Sequence, residues 1–82
     1  MILYVITEYC YDFEQTTVIG VCDSIKQTEK MIKSYYETFK EVTREDVQDS
    51  GLEYKLKLRV SHKKTSSYVV DVFVNSYMLN QL

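Results

Sequence analysis

The stretch EYCYDFE, residues 8–14, contains the side chains of this sequence that offer the most chemistry. Polar and ionisable side chains stand at alternate positions: Glu8, Cys10, Asp12 and Glu14. Aromatic rings fill the positions between them: Tyr9, Tyr11 and Phe13. Because successive side chains of an extended strand point to opposite faces, the acids would face one way and the rings the other. This pattern allows three functions: a metal site, a catalytic pair of carboxylates or a surface that recognises a partner.

A metal site fits the pattern poorly. Zinc sites favour cysteine and histidine at recognisable spacings, whereas here a single thiol lies among carboxylates with no histidine nearby. Calcium loops need a glycine at their sharp turn, and residues 12–14 contain none. We therefore expect no metal and no other cofactor.

Catalysis is disfavoured for related reasons. Paired carboxylates hydrolyse glycosides only within a cleft, and a sheet-and-helix domain of 82 residues has little room for one. His62 is the single histidine and falls in a predicted surface turn beside Lys63 and Lys64. No serine or cysteine is identifiably paired with it as a nucleophile. We expect the protein not to be an enzyme.

Recognition of another protein is the remaining function. Aromatic rings at a loop tip, surrounded by carboxylates, have the composition of a protein-binding hot spot. Such a surface would suit a host protein with a basic surface. The predicted partner-binding residues are Glu8, Tyr9, Tyr11, Asp12, Phe13 and Glu14. The alternative interpretation is that two of the rings only cover the end of the hydrophobic core.

Basic side chains are concentrated near the end of the sequence, where residues 54–82 contain five of them and a single acid, Asp71. They are possible contacts for a nucleic acid or another anion: Lys55, Lys57, Arg59, Lys63 and Lys64. A strand with a basic face can follow a phosphate backbone. However, the formal net charge of −2 disfavours nucleic-acid binding, and lysines on an outer strand face also discourage aggregation. We favour a solvated strand face.

Length and composition indicate one small globular domain over residues 1–82. The sequence is 45% hydrophobic and 27% charged, which is typical of an ordered chain. We predict no signal peptide and no membrane span, so we expect a cytoplasmic protein. Cys10 and Cys22 are then expected to be free thiols.

The hydrophobic pattern predicts two β-hairpins joined by one helix. Strands are predicted over residues 1–9, 16–22, 52–61 and 68–74. The helix begins at Ser24, a good N-cap residue with Gln27 three positions later. Its predicted apolar stripe consists of Thr28, Met31, Ile32, Tyr35, Phe39 and Val42.

Three further expectations follow from this pattern. Tyr36 lies beside the helical stripe and is predicted to be half exposed. The acidic residues 43–50 are predicted to be weakly helical. A three-residue turn over residues 62–64 would place Lys55 opposite Asp71.

The resulting order, ββαββ, predicts an α+β fold with a four-stranded, mostly antiparallel sheet and one helix on one face. One helix cannot cover both faces of such a sheet. The other face would then be covered by a second copy of the chain or by a foreign partner.

Residues 1–42 resemble a loose group of small uncharacterised proteins that are often found in phages and mobile elements. The resemblance lies in VIGVCDSIKQTEKMIKSYYE, which follows an aromatic and acidic YDFE loop. In this group a strand ending in hydrophobic–Gly–Val–x–x–Ser runs into a capped helix. The resemblance implies a fold and a genomic setting, without implying a chemistry.

These observations lead to one expectation and two alternatives. We expect a small, non-enzymatic protein-binding module of a phage or mobile element. In its sharpest form it inhibits a host defence protein that acts on nucleic acids, such as a CRISPR effector. The alternative is a homodimeric structural or regulatory module, and a weaker alternative is a nucleic-acid binder that uses the basic strand face.

Overall fold

The structure, a computed structural model, describes residues 1–49, 53–65 and 67–78. In this part of the chain the elements are β1 (Ile2–Cys10), β2 (Gln15–Cys22), α1 (Ile25–Tyr35), β3 (Phe39–Asp49), β4 (Glu53–His62) and β5 (Val69–Met78). The described strands form one antiparallel sheet in the order β2-β1-β5-β4-β3. The predicted α+β class is confirmed. The predicted four strands and the ββαββ order are wrong, because the described chain forms five strands.

The additional strand, β3, lies where the helix was expected to continue. Helix α1 ends at Tyr35, and the next backbone N–H, that of Tyr36, donates to the Ile32 carbonyl at 2.9 Å. The chain then turns and pairs with β4 from Phe39 onward. Residues 43–50 have only weak helical propensity, and strand pairing satisfies the backbone groups of β4 that would otherwise form an open edge. Ser50 lies outside the described residues.

The start of the helix agrees with the sequence. The Ser24 side chain accepts a hydrogen bond from the Gln27 backbone N–H at 3.1 Å, which confirms the predicted N-cap. Thr28 and Ile32 are buried, as the stripe requires, whereas Tyr35 is 56% exposed. Tyr36 is buried rather than half exposed. It lies four residues after Ile32 and its N–H still bonds to the Ile32 carbonyl, so the helical period that buries Thr28 and Ile32 also places Tyr36 on the buried side.

The core lies between α1 and one face of the sheet, which we call the helix face. Cross-strand partners share a face, and Ile6 pairs with Val74, which also pairs with Leu56. The core of this face consists of Tyr4, Ile6, Cys10, Cys22, Ile32, Tyr36, Tyr54, Leu56, Leu58, Val60, Val70, Val72 and Val74.

The register between β4 and β5 differs from the prediction. Arg59 lies opposite Asp71, and Lys55 lies opposite Asn75. The predicted pairing of Lys55 with Asp71 is therefore wrong. The predicted faces are nevertheless right, because the longer connection between the strands preserves the alternation of side chains.

The second face carries no helix in the described part of the chain, and we call it the open face. Its β2–β1 side is apolar, with Val5 paired to Val21 and with Val18 and Val21 61% and 52% exposed. On its other side, Lys57 of β4 pairs with Glu45 of β3 and with Phe73 of β5. The open face therefore has an apolar half and a charged half.

Candidate protein-binding site

The turn at the end of β1 separates the side chains of EYCYDFE into three environments. Up to Cys10 the residues alternate between the two faces, as predicted for a strand. From residue 11 the chain forms a turn, in which Glu14 adopts a positive φ of 49°. The alternation therefore ends at the turn, and residues 11–14 are positioned by contacts of their own.

Glu8 belongs to the helix face. Its carboxylate accepts a hydrogen bond from the Tyr36 hydroxyl at 2.7 Å. Burial raises the pKa of Tyr36 well above its usual range, and the bond to Glu8 adds to this effect. The Tyr36 ring packs edge-on against Phe39, with ring centroids 5.3 Å apart. Glu8 thus ties the hairpin to the end of α1 and lies apart from the exposed turn.

Cys10 and His62 contribute to an aromatic cluster at the same end of the helix face. The Cys10 Sγ lies 3.9 Å from the Tyr68 hydroxyl oxygen, and hydrogen bonding between these two groups, together with burial, raises the pKa of Tyr68. His62 packs edge-on against Phe39 at 5.2 Å, and its Nδ1 accepts backbone N–H groups of Lys64 and Thr65 at 3.1 and 3.3 Å. His62 therefore orders the loop after β4.

The two cysteines are free thiols. In the register of the first hairpin, Cys10 pairs with Gln15 and Cys22 pairs with Tyr4. These positions are six residues apart along β1, which corresponds to about 20 Å of extended strand. The distance is too long for a disulfide.

Three side chains on the open face form a hydrogen-bonded cluster, which we call the anchor: Tyr11, Arg59 and Asp71. Asp71 is only 1% exposed although it lies on the open face. Arg59 Nε donates to Asp71 Oδ1 at 2.8 Å, and Nη2 donates to Oδ2 at 3.2 Å. The Tyr11 hydroxyl donates to Oδ2 and accepts from Arg59 Nη2 at 2.9 Å. Each member of the anchor thus contacts both others.

Aromatic packing completes the anchor. The Tyr9 and Tyr11 rings meet edge-on at 90°, with centroids 4.9 Å apart. The Arg59 guanidinium carbon lies 5.5 Å from the centre of the Tyr11 ring, within the range of a cation–π contact. Contacts of its ring and of its hydroxyl therefore hold Tyr11 in one position against the strands β4 and β5.

The charges of the anchor are complementary. The Arg59 guanidinium lowers the pKa of the Asp71 carboxyl, and the hydrogen bond from Tyr11 acts in the same direction. The hydrogen bond to Asp71 raises the pKa of the Tyr11 hydroxyl. At neutral pH the cluster accordingly contains a carboxylate, a guanidinium and a protonated phenol.

The rest of the turn, which we call the tip, consists of Asp12, Phe13 and Glu14. All three side chains are exposed, and Phe13 is 73% exposed. Tyr11 fixes one end of the tip, and the pairing of Cys10 with Gln15 closes its base. The tip therefore presents an aromatic ring between two carboxylates on a turn with a fixed base.

The five basic side chains that were predicted as anion contacts do not form one continuous positive surface. Lys55 and Lys57 are exposed on the open face, where Lys57 lies opposite Glu45. The guanidinium of Arg59 is bound to Asp71. Lys63 and Lys64 lie in the loop after β4 and border, with Glu37 and Thr38, a shallow cavity of about 290 Å³.

The sequence did not identify Asp71 as part of the site. It assigned Arg59 to the basic face and expected Lys55 opposite Asp71. A signal was present, since Asp71 is the single acid in residues 54–82 and interrupts the apolar strand YVVDVFV. A carboxylate in such a strand needs a charged or hydrogen-bonding partner.

Within the described residues, no group of three or more histidine, cysteine, aspartate or glutamate side chains is arranged to hold a metal ion. In the same part of the chain, no helix has both the length and the apolar character needed to cross a membrane. Comparisons of the chain with protein-family models, with curated proteins and with solved structures found no match.

Proposed function

We propose that this chain is a small protein-binding domain whose tip contacts a partner protein with a basic surface. The observation that supports the proposal is the combination of an exposed Phe13 with a turn that the anchor fixes from the open face. An aromatic ring surrounded by carboxylates has the composition of a binding hot spot.

The anchor favours binding because it orders the turn before a partner arrives. Immobilising a flexible side chain or loop at an interface costs free energy, about 0.5–1.5 kcal/mol for each side chain. Tyr11 is held by Asp71 and Arg59 in the free protein. A partner would therefore meet a turn whose position is already set.

The charge of the tip indicates the kind of partner. Residues 1–25 contain four acids and no basic residue, and the side chains of Asp12 and Glu14 are exposed. Complementary charge speeds association and selects among partners. A surface rich in lysine and arginine is the matching chemistry.

The narrower form of the proposal is that the partner is a host protein that acts on nucleic acids, and that binding inhibits it. Such proteins have basic grooves that contact phosphates. An acidic, aromatic tip would occupy such a groove in competition with the nucleic acid. The exposed acids and ring of the tip support this form, and the resemblance to phage and mobile-element proteins that we infer for residues 1–42 would agree with it.

The experiment compares two triple variants in affinity capture from a lysate of the host cells. The tip variant, Asp12→Ser with Phe13→Ser and Glu14→Ser, removes two acids and one ring but leaves the anchor intact. The control variant, Glu29→Ser with Tyr35→Ser and Glu37→Ser, also removes two acids and one aromatic ring, from exposed positions in and just after the helix.

We expect the wild type and the control variant to retain the same basic protein, with retention falling as the salt concentration rises. The tip variant should lose it while its circular dichroism spectrum is unchanged. Full retention by the folded tip variant would contradict the proposal.

A further inference from the structure

The strands β2 and β3 lie at the two edges of the described sheet, and they differ in charge. An edge strand presents backbone N–H and C=O groups that can pair with another strand, and proteins commonly protect such edges with charged side chains. Strand β3 has this protection, with two basic residues and four acids among residues 39–49. Strand β2, with the sequence QTTVIGVC, has no charged residue.

The side chains of residues 15–18, the first half of β2, are also accessible. Its first four residues are exposed, and Val18 is 61% exposed. The irregular step in its pairing with β1 falls at Ile19, between the partners Val18 and Gly20. Residues 15–18 therefore form an uninterrupted, uncharged stretch along the edge.

We propose that β2 pairs with β2 of a second copy of this chain, antiparallel about a two-fold axis near Thr17. The sheet would then continue from one copy into the other. Thr16 and Val18 of one copy would lie beside Val18 and Thr16 of the other on the open face. The apolar half of the open face, which includes Val5 and Val21, would extend across the dimer.

The charge pattern favours a second copy as the occupant of this edge. In a two-fold pairing, residue i of one copy contacts residue j of the other, and residue j contacts residue i, so a strand with an excess of one charge meets the same excess in its partner. Pairing of β3 with itself would bring eight acids and four basic residues together, because each copy contributes four and two. Strand β2 meets no such repulsion.

The test measures the mass of the full chain by sedimentation velocity, over a range of concentrations and with a reducing agent present. We expect the wild type to form a dimer. Val18→Glu should weaken the dimer about tenfold or more, because its two copies place like charges on the same face near the axis. The matched control is Val47→Glu, at a 57% exposed position of the β3 edge opposite Lys55. It should leave the dimer unchanged.

A mixture tests the two-fold geometry itself. Val18→Glu and Val18→Lys should each be weakened alone, and an equal mixture should restore the dimer because opposite charges then meet near the axis. A wild type that is monomeric at every concentration would overturn the inference. So would a dimer that Val18→Glu leaves unchanged, or variants that fail to recover on mixing.

This inference does not depend on the proposed function, because the tip lies outside β2. The tip variant should form the dimer as the wild type does, whether or not it binds a partner. The tip variant therefore tests partner binding alone, and the Val18 variants test the dimer alone.

Discussion

Among the described residues, two tyrosine–carboxylate hydrogen bonds hold the first hairpin, one on each face of the sheet. On the helix face Tyr36 donates to Glu8 at 2.7 Å. On the open face Tyr11 donates to Asp71. In the described part of the chain a cation, Arg59, joins the open-face pair, where it donates to both Tyr11 and Asp71.

The same kind of hydrogen bond is accompanied by apolar packing on the helix face and by an ion pair on the open face. Tyr36 is buried and its ring packs edge-on against Phe39, so its position depends chiefly on the apolar groups around it. Arg59 Nε lies 2.8 Å from the Asp71 carboxylate and lowers the pKa of that carboxyl, so the open-face contact depends on an ion pair. The helix face should therefore respond to loss of volume, and the open face to loss of charge.

The largest expected effect is that of Asp71→Ala. It removes the acceptor that Tyr11 and Arg59 share at a position that is 1% exposed. Hydrogen bonds to a charged group contribute about 1.5–3 kcal/mol each when lost, and we expect the free energy of unfolding to fall by about 2–3 kcal/mol. Urea denaturation measures this change. A change within about 0.5 kcal/mol, the range of an ordinary surface substitution, would contradict the account of the anchor.

The same contact should be sensitive to acid. A carboxyl whose pKa is lower in the folded protein stabilises the fold above its unfolded pKa, and this stabilisation is lost as the pH falls through the folded pKa. The unfolded value for aspartate is about 4. The difference in unfolding free energy between the wild type and Asp71→Asn should be constant from about pH 5 to pH 8 and should shrink below about pH 4. A difference that grows on acidification would have the wrong sign.

A smaller effect is expected for Tyr36→Phe. The ring stays in the core, so only the hydroxyl bond to Glu8 is lost, and we expect a decrease of about 1–2 kcal/mol in the free energy of unfolding. The control is Tyr35→Phe, at a neighbouring position that is 56% exposed, which should be neutral. Equal effects of the two substitutions would show that the hydroxyl of Tyr36 has no special role.

The smallest effect on stability is expected for Phe13→Ser. Its ring is 73% exposed, so the free energy of unfolding should change by less than about 0.5 kcal/mol. This result would separate the tip, which we assign to binding, from the anchor, which we assign to structure. A loss as large as that of Asp71→Ala would mean that Phe13 packs against the domain.

The sequence predicted the elements whose pattern is local. The N-cap at Ser24 and the alternating strand β4 were readable because each depends on residues that are close together in the chain. Strand β3 was not, since its acidic residues have little strand propensity of their own and become a strand by pairing with β4. The end of helix α1 was not readable for the same reason, because it depends on where the following residues can pair with β4.

The candidate site was predictable in part for a related reason. The composition of residues 8–14 identified the aromatic and acidic hairpin from the sequence alone. The anchor depends instead on the register between β4 and β5, which places Arg59 opposite Asp71. A connection a few residues longer than expected changed the partner of Asp71 from a lysine to an arginine, and a register of this kind depends on turn geometry that the sequence does not state.

We infer that the anchor holds the tip in one position before any partner binds. The most direct measurement is the ¹⁵N relaxation of the backbone amides of residues 11–14 in the wild type and in Asp71→Asn. We expect order parameters of about 0.85 in the wild type, as for rigid backbone, and values below about 0.6 in the variant. Values below about 0.6 at these residues in the wild type, or values that Asp71→Asn leaves unchanged, would contradict it.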